Sequence, residues 1–298
     1  MRALVTGAGG FVGPYLLDAL RQSGAQAFEC DMHALRFALD SVKPSVVFHL
    51  AAQTFVPDAL RAPLETYETN TMGTARLAQA VRESGLEPAP RILFTSSAEV
   101  YGVREPSEYP LRESLDLRPA NPYGASKAAA EAILLAEARS FGTDVVIARA
   151  FNHVGPGQKE HFVVASLAAQ LARIAAGSPS KLLVGNLEAA RDFLDVRDVV
   201  AAYIELARHG ERGEIYNVCS GAAVTIRDVL GELIRVAGVA VEVREDPNRL
   251  RSAETPLSVG SPAKLRARTG WSPRIPLTRS LRDVYEAASK FALSGVEG

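Results

Sequence analysis

In Pro122-Tyr123-Gly124-Ala125-Ser126-Lys127 a phenol and an ammonium stand four positions apart, which on a helix is one turn along the same face. A phenol with an ordinary pKa of about 10 is a weak base at neutral pH, and a neighbouring ammonium favours its phenolate. Tyr123 helped by Lys127 can therefore exchange a proton with a hydroxyl or keto oxygen. Tyr-x-x-x-Lys also arises on solvated helix surfaces, so its position has to decide. It follows, one helix-sized interval on, an apolar run that ends in Thr95-Ser96-Ser97-Ala98-Glu99. Hydroxyls at the end of such a strand emerge where open α/β sheets bind their ligands, and Ser97 could share the reacting oxygen with Tyr123.

A second group of residues could hold a phosphate-bearing ligand. The opening run Arg2-Ala3-Leu4-Val5 leads straight into Thr6-Gly7-Ala8-Gly9-Gly10-Phe11-Val12-Gly13. Glycines at 7, 10 and 13 allow a tight turn, close approach of a pyrophosphate to backbone amides and close helix packing. Asp31, about 20 residues further on, is placed to accept hydrogen bonds from both ribose hydroxyls of NAD and to repel the extra phosphate of NADP. NAD(H) is therefore favoured, while Arg36 nearby could pair with that phosphate and keeps NADP(H) open.

These residues need a scaffold, and the pattern around them supplies one. Short apolar runs alternate with longer amphipathic stretches, the signature of βαβ units feeding a parallel sheet. Strands are expected at Arg2–Thr6, Ala25–Cys30, Val46–Leu50, Arg91–Ser96, Val145–Ala150 and Ile215–Val218. Helices are expected near Val12–Ser23, Leu64–Ser84, Pro122–Phe141, Phe162–Ala176, Arg197–Ala207, Ile226–Val236 and Thr278–Phe291. The fold class is then α/β: a Rossmann-like, doubly wound parallel sheet with a smaller, interleaved C-terminal α/β substrate lobe. Residues 1–152 form the dinucleotide-binding domain, to which the chain returns at about 197–220; residues 153–196 and 221–298 form the lobe.

Composition excludes other classes. With 33 basic and 34 acidic residues giving a net charge of −1, there is no field to draw in nucleic acid or an anionic membrane, and an anionic ligand must be held by a local site. No apolar stretch reaches the length of a membrane span, and the opening run is too short for a signal peptide. Cys30 and Cys219 lack metal-ligand spacing and sit in apolar runs as buried thiols. A cytoplasmic protein without a metal is the expectation.

Taken together, the glycine triplet, Ser97 and Tyr123-x-x-x-Lys127 resemble the extended short-chain dehydrogenase/reductase family across essentially the whole chain. The resemblance implies a Ser97/Tyr123/Lys127 catalytic triad, with Lys127 also holding the nicotinamide ribose. It places Gly7, Gly10, Phe11, Val12, Gly13, Asp31, Leu50, Ala51, Ala52, Gln53, Asn70 and Phe151 against the cofactor, Asn70 looking like the family's helix-four asparagine. It also implies a nucleotide-diphosphate sugar, contacted by Ser97, Ala98, Glu99, Asn152, Asn186, Arg191, Arg251 and Glu254. Arg191 and Arg251 are the candidates for the diphosphate, since guanidinium groups match phosphate oxygens in a planar, paired way. The stretches Arg149–Gln158 and Asp246–Pro256 are similar to segments of family members that reduce the C4 ketone of GDP-4-dehydro-6-deoxyhexoses, and Gly185–Asp198 is similar to a segment that GDP-sugar reductases and dehydratases share. Ser252 and Glu254 stand where proline and aspartate are common there. One further departure concerns the residues between Asp31 and Val46, too few for the family's usual helix, strand and helix.

Glu99 joins the catalytic set as an acid or base, because sugar-nucleotide dehydratases carry a glutamate at the matching place and reductases of related keto-sugars often do too, so it does not separate the two. The rival reading is a 4,6-dehydratase or 4-epimerase with internally recycled NAD. A non-catalytic dinucleotide-sensing protein on the same scaffold is the third reading. The resemblance also implies a homodimer, with Leu64–Ser84 and Pro122–Phe141 pairing with their copies.

Overall fold

The computed structural model describes residues 1–249 and 255–294. Its first sheet is parallel and six-stranded, in the order β2-β1-β3-β4-β5-β9. The strands are β1 (Arg2–Thr6), β2 (Gln26–Cys30), β3 (Val46–His49), β4 (Arg91–Ser97), β5 (Val145–Ala150) and, after a long excursion, β9 (Glu214–Val218). Every residue of β3 and β5 is buried, as expected of strands covered on both faces. Each fully buried Val or Ile there contributes about 1.5–3 kcal/mol. Helices α1 (Val12–Gln22) and α8 (Val196–His209) cover one face, packing on Val5, Phe48, Leu93 and Val146. Helices α2 (Leu35–Val42), α5 (Gly73–Arg82) and α6 (Pro122–Phe141) cover the other, packing on Leu4, Val47, Ile92 and Ile147.

Between β2 and β3 the chain makes a single 3-10 turn at Met32–Ala34 and helix α2, and β2 ends the sheet. The short spacing after Asp31 has thus removed a whole strand from that side. The expected helix Leu64–Ser84 is preceded by a short α3 (Val56–Arg61) and is itself three pieces: α4 (Pro63–Tyr67), a π-turn at Glu68–Met72, and α5. The widened turn is tied through the Asn70 side chain to two other segments. Asn70 accepts from the backbone N–H of Gln53 and donates to its carbonyl and to Ser126 Oγ, at 2.8, 2.9 and 2.9 Å. Periodicity could not show this, because a π-turn leaves the apolar spacing on either side helical.

The smaller lobe is built on β8 (Ala190–Asp195), which β10 (Ala223–Thr225) pairs antiparallel and β6 (Asn152–Val154) and β12 (Leu257–Ser258) pair in parallel. A separate pair, β7 (Lys181–Val184) and β11 (Glu242–Glu245), flanks it. Helices α7 (Val163–Ala175), α9 (Ile226–Ala237) and α11 (Leu277–Ser294) enclose the lobe's core, and α10 (Ala263–Thr269) packs back on α8 and β9. Two buried carboxylates knit the lobes together. Asp192 accepts from Ser220 Oγ and from the backbone N–H groups of Ser220, Gly221 and Gly260. Asp198 accepts from the N–H groups of Arg274 and Ile275, while its carbonyl accepts from the buried Trp271 indole.

Candidate active site

Strands β1, β3, β4 and β5 all finish at one edge, with Thr6 opposite His49, His49 opposite Phe94, and Ser97 opposite Ala150. The strand order reverses between β1 and β3, and at such a point the loops diverge and leave a crevice. A cleft of about 1130 Å³ lies there, between the first sheet and the smaller lobe.

At one end the cleft is lined by Gly7, Gly10, Phe11, Val12, Gly13, Leu50, Ala51 and Ala52. The glycines are needed sterically. Gly7 has a φ of +71°, and a Cβ there would stand 2.6 Å from Ala51 Cα; one at Gly13 would stand 1.9 Å from the Ala8 carbonyl oxygen. The first turn of α1 carries no acidic side chain. Free amides, a positive helix end and absent side chains fit a dinucleotide pyrophosphate.

The middle of the cleft holds Ser97, Ala98, Glu99, Tyr123, Lys127 and Phe151. Asn121 caps α6 by accepting from the Gly124 N–H at 2.9 Å, and Pro122 opens the helix with its φ already set. That start aims Tyr123 and Lys127 over the end of β4. Burial pushes the Tyr123 phenol up to about 12, against the pull of a hydrogen bond with Ser97, and the Glu99 carboxylate pushes the same way as burial. Lys127 is buried with its Nζ donating to the Thr95 carbonyl at 2.8 Å and lying 4.8 Å from the centre of the Phe94 ring. Burial brings its ammonium down to about 7, partly opposed by Glu131. Glu99 accepts at 2.8 Å from Asn121 Nδ2, so the helix cap also orients this carboxylate.

At the far end lie Asn152, Asn186 and Arg191. Arg191 is half-buried and donates to the carbonyl of Ala190. Three expected residues stand apart from the cleft wall. Gln53 and Asn70 are behind it, bonded to each other, and Asp31 is exposed at the end of β2, accepting from the His33 N–H at 2.8 Å. Arg251 and Glu254 fall outside the described residues. The His153 ring has its Nδ1 2.8 Å from the Phe151 carbonyl, and burial lowers it to about 4.

Some residues at the cleft carry no signal in the sequence. Phe55, His161 and Phe162 form an aromatic cluster on the cleft wall, with ring centres 4.2 Å apart for Phe55 and His161. Tyr203 reaches the cleft from α8, where its period read simply as core. For Asn121 a signal existed, since an Asn-Pro pair before an apolar stretch marks a helix start. Among the described residues no group of His, Cys, Asp and Glu could hold a metal ion. No helix among them is long and apolar enough to cross a membrane.

A family model described as GDP-mannose 4,6 dehydratase matches residues 29–284. The chain belongs to this family, within the extended short-chain dehydrogenases/reductases. It is an enzyme of the NAD(P)-dependent sugar-nucleotide oxidoreductase class. A GDP-6-deoxy-D-mannose reductase of Pseudomonas aeruginosa is 42% identical over 301 residues, 95% of each chain. The solved structure of RMD from Pseudomonas aeruginosa complexed with NADPH superposes with a TM-score of 0.89 at 39% identity, covering 97% of this chain and 99% of that one. The UDP-glucose 4-epimerase of Thermus thermophilus, solved with NAD, gives 0.86 at 30% identity over 97% of this chain and 99% of its own.

Proposed function

We propose that the protein reduces the C4 ketone of a GDP-4-dehydro-6-deoxyhexose with NAD(P)H. The observation that carries this reading is one cleft in which Ser97, Tyr123 and Lys127 stand between a glycine-walled end and an end bearing Asn186 and Arg191. The similarity to the GDP-6-deoxy-D-mannose reductase supports the substrate class.

A bound reduced nicotinamide would supply the hydride that adds to the carbonyl carbon. Tyr123 then gives its phenolic proton to the carbonyl oxygen, and the product is an alcohol. A phenol held at about 12 is protonated at neutral pH, which suits a proton donor. Ser97, two residues beyond the Thr95 carbonyl that anchors Lys127, holds the same oxygen and orients it. Lys127 holds the nicotinamide ribose, and its ammonium eases the loss of the Tyr123 proton. Arg191 grips the diphosphate. Asp31 has one carboxylate oxygen engaged by His33 and the other available to the adenosine ribose, which favours NAD(H); NADP(H) remains the second cofactor.

The test is absorbance at 340 nm with pure protein, NADH or NADPH, and GDP-4-dehydro-6-deoxymannose made in place by a separate dehydratase. Oxidation only when the keto-sugar is present supports the reductase. A second reading rests on Glu99, which is compatible with both, since a carboxylate held in the cleft by Asn121 could remove a proton beside the ketone. Dehydration of GDP-mannose with no net change at 340 nm would select a 4,6-dehydratase. Full biological activity of Tyr123→Phe would leave only a dinucleotide sensor.

The protein is further proposed to be a homodimer through α4, α5 and α6. Leu64 and Met72 are exposed at 79% and 44% there, and Phe141 at the end of α6 at 59%. A monomeric mass by light scattering at micromolar concentration would rule this out.

A further inference from the structure

The glycine loop and the Tyr123–Lys127 helix belong to elements far apart in sequence, yet a continuous buried chain of hydrogen bonds joins them through His49. Its Nδ1 lies 2.7 Å from Thr6 Oγ1, on the residue before Gly7, and its Nε2 lies 3.1 Å from Thr74 Oγ1. Thr74 in turn donates to the carbonyl of Asn70 at 2.6 Å, inside the π-turn. From Asn70 the chain runs through Nδ2 to Ser126 Oγ, which donates to the Tyr123 carbonyl at 2.7 Å. A second branch leaves the His49 carbonyl, which accepts from Thr95 Oγ1 at 2.9 Å; the Thr95 carbonyl then accepts from Lys127 Nζ. His49, Thr6, Thr74, Asn70 and Ser126 are all 0–1% exposed, so water does not compete for these bonds.

The directions of the bonds follow from counting hydrogens. Thr74 has one hydroxyl hydrogen and uses it on the Asn70 carbonyl, so towards His49 it can only accept. The imidazole therefore carries its hydrogen on Nε2, and Nδ1 accepts from Thr6. Burial, with the charge of Lys127 adding to it, lowers the ring to about 3, so this pattern holds over any working pH.

We propose that His49, in the Nε2–H tautomer, is a positioning residue that sets the glycine loop and the Tyr123–Lys127 pair as one frame for the dinucleotide. This rests on the reading that the loop holds the dinucleotide and the pair does the chemistry. Thr6 can place Gly7 only as well as β1 is held against β3, and the His49 ring bridges from Thr6 to Thr74, the support of the π-turn. A site assembled from two rigid pieces loses rate and affinity when the pieces drift by fractions of an ångström.

The experiment uses the full chain in four forms: parent, His49→Leu, His49→Gln and Thr74→Val. Isothermal titration gives the Kd for NADH and NADPH, steady-state assays give KM and kcat, and melting gives Tm. A carboxamide offers one acceptor and one donor, as the neutral ring does, so Gln can restore the chain and Leu cannot. Expected are a Kd and dinucleotide KM about tenfold higher for Leu, with kcat lower by about fivefold, and Gln within about threefold of parent. Thr74→Val shifts Kd in the same direction, which tests the chain from its other end should the Leu variant not fold. A Leu or Val variant with Kd and kcat within about twofold of parent overturns the proposal, whatever its Tm, because a purely structural histidine costs stability alone. Failure of the parent itself to bind either dinucleotide overturns the cofactor reading beneath it, a separate outcome.

Discussion

Two buried cations lie on α6 and against it, and they are treated in opposite ways. Arg149, on β5, meets Glu131 of α6 through both carboxylate oxygens, at 2.7 Å for the shortest bond, and stacks over the Tyr101 ring while donating to its hydroxyl. Ser96 Oγ donates to the same Glu131 at 2.5 Å, and Tyr101 passes its own hydrogen to Asn217. Burial alone would lower Arg149, and its bonds to Glu131 more than reverse that, so it is raised. Lys127, one turn before Glu131 on α6, is bonded instead to a carbonyl and faces a ring, and its ammonium is held near the midpoint of its titration. A charge that builds structure is paired and closed off, whereas a charge that must respond to a ligand is left short of a counter-ion.

The largest effect that would break this comparison is on turnover. Tyr123→Phe leaves Lys127 and its environment in place but removes the proton donor, and kcat should fall about 10²–10⁴-fold with the melting temperature little changed. A steady-state assay with the keto-sugar checks it; a loss under about tenfold would mean another group carries the proton.

Next comes the paired side. Glu131→Gln leaves Arg149 buried opposite an amide, and truncating one member of a buried pair costs about 3–5 kcal/mol. Denaturant midpoints at constant m-value measure the loss. If the cost is ionic, Glu131→Gln with Arg149→Met recovers most of it. An unchanged midpoint in the single variant would show that Ser96 and Tyr101 alone hold the region.

The unpaired side predicts the reverse sign. Unfolded Lys127 keeps its proton up to about pH 10.5, and in the folded chain it is lost near 7. Between those values the unfolded state binds more protons, so stability rises with pH; below 7 both states are protonated and the full burial penalty stands. Lys127→Met should therefore be more stable than parent at pH 6, by at least ~1 kcal/mol after loss of the bond to Thr95, with the two curves converging towards pH 10. The same variant should be nearly inactive. Parallel melting curves across pH would end the idea that Lys127 is strained.

The contrast between these two cations also marks what could be read from the chain without its structure. Glycines 7, 10 and 13 and the Tyr123–Lys127 spacing announce themselves because each acts through its own stretch of backbone. The six strands of the first sheet and most of the longer helices are legible for the same reason, since period is local; the strands of the smaller lobe, two to six residues long, are not. The Glu131–Arg149 pair was not, since a charged residue in a helix or strand reads as solvent-facing unless the partner, on another element, is known. The His49 chain and the π-turn are hidden likewise, being made by residues from β1, β3, α5 and α6 that meet only in the folded sheet edge. The family resemblance names Asn70 as a site residue, yet its bonds point backwards into the frame.

Asp31 tests the smallest effect and the middle case between the two cations, a carboxylate with one bond made and one oxygen turned to solvent. It is exposed, and its cap to His33 N–H is a local bond that an amide oxygen can also make. Asp31→Asn thus keeps the cap and removes only the charge. If that charge disfavours a ribose phosphate, the ratio of kcat/KM for NADPH over NADH should rise about tenfold at low salt, and by less at high salt, because an exposed charge is screened. A ratio unmoved within about twofold would make Asp31 a structural cap alone, nearer in kind to Arg149 than to Lys127, and would leave Arg36, now 3.7 Å from Asp40, as the side chain on which to look for cofactor choice.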